Sequence, residues 1–430
     1  MNRVIPRRRF LKDATVSGLA ASTFPLIKSS RQTTRSLVLI GSGWWGGNIL
    51  REAVQVENIR VVGICDVDQS ALQSTAEAVQ DWTGERPKWY TDYRECLQQT
   101  QPDIAIIATP DHWHALPTIA AIEQGAHVYI EKPISHTVDE GKAILRAARE
   151  RKRVVQVGTH RRVSPHNMEA MQFLRDGKVG KVASVKCFVN YGQGAGEIVE
   201  DSETPVGLDW DMWLGPAPYR PYNQRIHPRG FRQFLDFANG TIGDWGIHWF
   251  DQVLWWTEER FPTSVYSSGG RFVKSDNTDA PDTQQAIFTF EEFTLTWEHK
   301  LCTPNANESA NVGSYFYGTE GTLHMGWRDG ATFYPKQKSQ SNIHFAPRLN
   351  EPDHQNIKEL WSDFIQAIEQ GSTPVCDIEH GYLATNMSLL AMISYHTGRQ
   401  INWDGDQIIG DDQASALMRR PYRQPWIYPD

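Results

Sequence analysis

The sequence predicts an α/β protein: a parallel, doubly wound sheet in the first half, then an α+β region with a large, mostly antiparallel sheet. Three observations carry that prediction. From Arg35 to about Arg151, short aliphatic runs alternate with longer helical stretches, the pattern of parallel strands joined by crossover helices. Beyond Gly180 the strand candidates lengthen, as in Lys181–Tyr191 and Gln285–Lys300, the latter a hairpin turning near Glu291 and Glu292. Finally, 430 residues with 40% hydrophobic content exceed the usual size of one domain. The expected division is 35–157, 158–403 and a C-terminal arm over 404–430.

Residues 1–30 are set apart from the fold. Their basic start and short apolar run, Ala14 to Ile27, fall short of a bilayer span. Arg7 and Arg8, with Phe10 two places on, resemble a twin-arginine export signal. The expectation is a periplasmic or otherwise exported protein, with a cytoplasmic enzyme bearing a basic arm as the alternative. A net charge of −8, from 43 basic and 51 acidic residues, argues against a nucleic-acid surface. Five scattered cysteines without CxxC spacing suggest neither a disulfide framework nor a zinc site, and no metal is expected.

The first-half strands read Ser36–Ile40, Ile59–Cys65, Ile104–Ala108, His127–Ile130 and Val154–Val157. Helix candidates run Gln69–Gln80, His114–Gln124 and Thr137–Arg151. The last opens on a threonine cap followed by Asp139 and Glu140. In doubly wound sheets ligands bind at the carboxyl ends of the strands, so those ends hold the candidate site. After the first strand, Gly41, Gly43 and Gly46 form GxGxxG, which lets backbone approach a pyrophosphate at a helix N-terminus. Ser42, Trp44 and Trp45 fill that loop, the tryptophans either covering the cofactor or packing on the second domain. Twenty residues beyond Gly46, Asp66 can accept the adenosine ribose hydroxyls and repel a 2′-phosphate, which favours NAD over NADP. Asp68 competes for that role, unless it caps a helix. Strand, glycine turn, helix, strand and acid in this order predict a Rossmann domain. Thr109, Pro110 and His114 follow the third strand named above, and Glu131 and Lys132 the fourth, which places them at the same edge.

Four longer stretches extend the pattern: EKP (Glu131–Pro133), VGTHRR (Val157–Arg162), GLDWDMWLGPAPYRPYN (Gly207–Asn223) and NGTIGDWGIHWFDQV (Asn239–Val253). Together they resemble the Gfo/Idh/MocA family, which includes glucose-fructose oxidoreductase and inositol dehydrogenase, over nearly all of Arg35 to about Trp403. The resemblance implies that Lys132 lies near the nicotinamide and substrate, and that Asp244 and His248 on a second-domain helix complete the site. Positions four apart share a helical face, so the physics agrees. Oxidising a secondary alcohol sends a hydride to the nicotinamide and a proton to a base, and either Lys132 or His248 is a candidate base. Lysine would need its pKa lowered by roughly 2 to 3 units; histidine would not. Asp244 is expected to orient substrate and histidine.

Arg161 is added to the expected cofactor contacts. Arg162, Tyr191, Trp210 and His227 are added to the expected substrate contacts. A sugar, polyol or glycoside substrate follows from the resemblance and from 16 tryptophans and 14 tyrosines, whose rings can stack on sugar faces. A homo-oligomer, dimer or tetramer, is implied, built on the antiparallel sheet. Three functions fit: a dehydrogenase with tightly held NAD, a glycoside hydrolase working by transient oxidation and elimination, and a non-catalytic nucleotide-binding sugar sensor.

Overall fold

Six parallel strands are hydrogen-bonded in the order β3-β2-β1-β4-β5-β6, and their carboxyl ends carry the glycine loop, the TPDHWH turn and EKP. The structure, a computed structural model, describes residues 34–56, 58–302, 308 and 310–430. The export-signal reading of residues 1–30 lies outside them. Residues 34–430 form one compact unit.

In chain order the first half runs β1 (Arg35–Ile40), α1 (Trp44–Ala53), β2 (Ile59–Cys65), α2 (Gln69–Thr83), β3 (Lys88–Tyr90), α3 (Tyr93–Thr100), β4 (Ile104–Ile107), α4 (Ala115–Glu123), β5 (His127–Ile130), α5 (Val138–Glu150) and β6 (Val155–Val157). Strand order reverses between β1 and β4, the switch point at which such sheets open a ligand crevice. The strands are apolar on both faces because helices cover both sides: β1 and β4 keep Leu37–Leu39 and Ile104–Ile107 fully buried. Neither β3 nor α3 stands out in the sequence, since a three-residue strand with two exposed positions leaves no apolar run to see.

The second half continues with α6 (Pro165–Arg175), β7 (Val182–Asn190), α7 (Trp210–Leu214), α8 (Ile247–Trp256), β8 (Ser264–Gly270), β9 (Thr283–Thr289), β10 (Thr294–Lys300), β11 (Val312–Gly318), β12 (Gly321–Met325), β13 (Ala331–Pro335), β14 (Ile343–Phe345), α9 (Ile357–Gln370), α10 (Ile378–Thr397), β15 (Ile401–Asn402) and α11 (Asp412–Ala416). Nine strands pair in the order β14-β13-β12-β11-β7-β10-β9-β8-β15. Neighbours are antiparallel except β7 and β10, which run parallel from Ser184↔Thr294 to Asn190↔Lys300. One face packs under α8 and α10: Phe250 meets Phe288 and Trp297 with ring centres 5.1 and 5.4 Å apart. The other face presents Tyr266, Ile287 and Tyr317 to solvent.

The tail, expected as an extended arm, returns to the first half. Trp426 packs edge-on against Trp113, with ring centres 4.7 Å apart. Arg420 and Tyr422 donate to the fully buried Glu140 at 3.0 and 2.7 Å. Glu140 also accepts the backbone N–H groups of His136 and Thr137, closing the N-terminal cap of α5.

Candidate active site

The glycine loop joins β1 to α1. Gly41 sits at φ +90°, and a Cβ there would lie 2.6 Å from the Ala108 backbone, so only glycine fits. At Gly46 a Cβ would meet the Gly41 carbonyl at 2.1 Å, whereas at Gly43 nothing lies within 4 Å. No side chain caps α1 and no acid stands in its first turn, which leaves its first N–H donors free for an anion. Asp66 accepts the Ser42 amide at 2.6 Å and the Asp68 amide at 3.0 Å, so it braces the loop from the end of β2. Asp68 caps α2 through Ser70 at 2.9 Å. A cleft of about 600 Å³ runs along this edge, past Asp66, Thr109, Pro110, His114 and Glu131 to Lys132. Bare backbone, open helix donors and an acid at the end of β2 fit an NAD cofactor.

Each wall of that cleft is tied to the next. His114 places its ring nitrogens 2.6 Å from the Pro133 carbonyl and 2.8 Å from that of Thr109, joining the TPDHWH turn to EKP. Glu131 accepts the Lys132 amide at 3.1 Å and the Tyr129 hydroxyl at 3.3 Å, and the Trp45 indole also donates to it. Its carboxylate occupies the space beside Gly158, where a Cβ would stand 2.3 Å from Oε1; the glycine of VGTHRR is therefore a consequence of the glutamate of EKP. Trp45 thus packs inward, while Trp44 is 62% exposed with the Arg229 guanidinium 5.0 Å above its ring. The Lys132–Pro133 peptide is cis.

Lys132 is the meeting point of the two halves. Its Nζ donates to the backbone carbonyl and to Oδ1 of Asp244, each at 2.7 Å. Asp244 lies in a π-helical turn, Ile242–Gly246, that leads into α8; such turns recur at functional sites. Arg232 reaches the same carboxylate at 3.3 Å. Burial alone would raise the Asp244 pKa, but the two cations hold it below the ordinary carboxylate value. Asp111, in the TPDHWH turn, goes the other way. Burial lifts it to about 7, against the pull of Arg232, and its Oδ2 has no hydrogen-bond partner.

His248 is buried next to His160, ring centres 5.7 Å apart. Burial, then the charges of Lys132 and Arg161, push it well below the usual histidine range. Asp244 makes no hydrogen bond to His248; it holds Lys132 instead. Trp245, between the two in sequence, stands 6.3 Å from His248, 5.4 Å from Tyr191 and 5.9 Å from Trp327, measured between ring centres. These half-buried rings form an aromatic cluster beside His248.

Four expected contacts sit elsewhere. Arg161 does not line the nucleotide cleft; it lies beside His248 and His160, its guanidinium 4.0 Å over Trp249. Arg162 is locked in a buried pair, its Nε 2.9 Å from both oxygens of Asp251, and does not line the nucleotide cleft. Trp210 is core, stacked on Trp213 at 4.6 Å with its indole N–H bonded to the Arg220 carbonyl. His227 lines the cleft, 3.1 Å from Asp68. Sequence reasoning passed over Arg232, Asp111, His160, Trp245 and Trp327. Asp111, His160 and Trp245 carry a signal, lying inside the TPDHWH, VGTHRR and NGTIGDWGIHWFDQV stretches, whereas Arg232 carries none. Among the described residues, no group of three or more His, Cys, Asp or Glu could hold a metal, and no helix is long and apolar enough to cross a membrane.

Two family models match the chain. Residues 35–159 match an oxidoreductase family with an NAD-binding Rossmann fold, and 186–428 its C-terminal alpha/beta domain. An oxidoreductase of Bacillus subtilis, YrbE, is 23% identical over 290 residues, covering 66% of this chain and 71% of that protein. A glycosyl hydrolase family 109 protein of Shewanella pealeana is 26% identical over 317 residues, 67% of this chain; the chain spans 61% of that relative's length. Among solved structures, a levoglucosan dehydrogenase in complex with NADH and levoglucosan superposes with a TM-score of 0.67 at 18% identity, over 86% of this chain and 99% of the other.

Proposed function

The chain belongs to the Gfo/Idh/MocA oxidoreductase family with its NAD-binding Rossmann domain, and from that premise we propose that it oxidises a hydroxyl group of a sugar, polyol or glycoside, or reduces the corresponding ketone. The observation that carries this reading is the double hydrogen bond from Lys132 to Asp244 at the end of the cleft opposite Asp66. It fixes an ammonium group where cofactor and substrate sides meet. When bound, the nicotinamide supplies hydride acceptance and donation; the chain's own groups do the rest. Lys132, held by Asp244, donates to the substrate oxygen and stabilises negative charge developing there. His248 is uncharged around neutral pH, because a pKa held below the ordinary 6.5 leaves the ring deprotonated at pH 7. As a neutral imidazole it keeps one nitrogen lone pair to accept the hydroxyl proton. The wall of Tyr191, Trp245 and Trp327 offers aromatic faces to a sugar ring. Asp66 favours NAD over NADP, since a 2′-phosphate would face a carboxylate.

The test is a panel of sugars and glycosides added to NAD-loaded protein while nicotinamide reduction and products are followed. Lys132→Ala should lower turnover roughly 10³-fold with nucleotide still bound; unchanged turnover would sink the assignment. The similarity to a family 109 glycosyl hydrolase favours a second reading, in which transient oxidation leads to loss of the aglycone and the hydride returns. Release of aglycone from aryl glycosides without net nicotinamide reduction would select it.

A further inference from the structure

Arg161 is the one described arginine that is both buried and without an acceptor. It is 3% exposed, yet its side chain makes no hydrogen bond or ion pair with any described residue, and its Nε is fully enclosed. The other buried arginine, Arg162, is matched by Asp251, and the half-buried Arg420 by Glu140. The acids that Arg161 feels are already engaged: Asp251 by Arg162, and Asp329 by the Trp327 amide at 3.0 Å. Trp249 offers only its ring face, 4.0 Å below the guanidinium. A buried cation whose enclosed Nε–H has no acceptor is costly unless something supplies oxygens. Burial accordingly pulls it down to about 9, far from the ordinary arginine value.

The placement says where those oxygens come from. Arg161 is absent from the walls of the nucleotide cleft, so no cofactor phosphate serves it there. It shares its surroundings with His248 and His160, both of which feel its charge together with that of Lys132. That cluster is the substrate side on the reading given above, and the inference rests on that reading. We propose that Arg161 receives a carboxylate of the substrate, so that the sugar acted on is an acidic one, a hexuronic acid or its glycoside. The planar guanidinium matches a carboxylate with two parallel hydrogen bonds, and the neighbouring Lys132 adds a second positive charge on the same side. A neutral sugar would leave the guanidinium as unmet as it is now, so selectivity follows from a penalty as well as from a gain.

The experiment is isothermal titration of the NAD-loaded full chain with D-glucuronate and D-galacturonate and their methyl glycosides, against D-glucose, D-galactose and theirs. At least one uronate should bind tenfold or more tightly than its neutral counterpart. Arg161→Gln should reduce that binding to the neutral level, and Arg161→Lys should restore part of it. Equal binding of neutral and acidic sugars, absence of uronate binding, or an unchanged uronate affinity in Arg161→Gln each overturns the proposal. The comparison within the unaltered protein stands even if a variant does not fold. Nicotinamide absorbance in the same samples separates the two readings: uronate binding through Arg161 without reduction refutes the oxidoreductase proposal and upholds the subsite, whereas reduction of neutral and acidic sugars with equal affinity does the reverse.

Discussion

In the nucleotide cleft the two carboxylates that follow β2 and β5 are matched within the protein: Asp66 already holds the amides of Ser42 and Asp68, and Glu131 the Lys132 amide. Beyond Lys132 the opposite holds. His248, His160 and Arg161 each keep a buried nitrogen without a partner. The first region recognises with backbone and bare helix ends, which one constant ligand needs. The second keeps side-chain donors open, which costs stability until a ligand fills them. What distinguishes the two is therefore where the hydrogen bonds are completed, inside the chain or by the ligand.

The largest expected effect on nucleotide binding comes from breaking the matched side. Gly46→Ala puts a methyl group 2.1 Å from the Gly41 carbonyl, and backbone cannot yield as a side chain can. We expect bound nucleotide to be lost, an affinity drop of at least about 100-fold, or some 2.7 kcal/mol. Titration calorimetry with NAD would measure it, and circular dichroism would confirm the fold. Retention of NAD would show that the loop is not the phosphate site.

Two adjacent arginines sharpen the contrast further. Arg162→Ala strands Asp251 in the interior, and breaking a buried pair costs about 3 to 5 kcal/mol, readable by denaturant unfolding. Arg161→Gln removes a buried charge with no partner and should change stability by less than about 1 kcal/mol, or raise it. Equal losses in both would mean that Arg161 is held by the protein after all.

A pH-dependent effect concerns Asp111. Its folded pKa, about 7, lies above the ordinary 3.8. The folded state therefore binds the extra proton between these values, and stability falls as pH rises through that window. Relative to Asp111→Asn, the unaltered protein should lose about 2 kcal/mol between pH 5 and pH 6.5, at roughly 1.4 kcal/mol per unit, and little more above pH 7. Thermal melts of both across that range would show parallel curves if Asp111 were ionised throughout.

How much of this could be read from the chain follows from distance along it. The strands, the glycine loop and its acid lie within a few dozen residues, and their signals are periodicity and glycine, both local. Lys132 and Asp244 are 112 residues apart, and nothing local to either names the other; resemblance did that. Arg161 and Arg162 show the limit most plainly. They share one short 3₁₀ turn, His160–Val163, where consecutive side chains diverge, so one pairs with Asp251 and the other lies over the Trp249 ring. No property of the dipeptide says which. The parallel pairing of β7 with β10 was equally hidden, because register between distant strands is decided by topology and not by composition.

The C-terminal arm makes a late stretch of the sequence part of the wall of an early one. Glu140, at the start of α5, and Trp113, in the turn after β4, take Arg420, Tyr422 and Trp426 as partners. Without those three residues Glu140 would keep only the amides of His136 and Thr137, and Trp113, which lines the cofactor cleft, would lose a packed ring. Damage to the arm would therefore be felt in the distant nucleotide cleft before it reached the antiparallel sheet nearer to it in sequence.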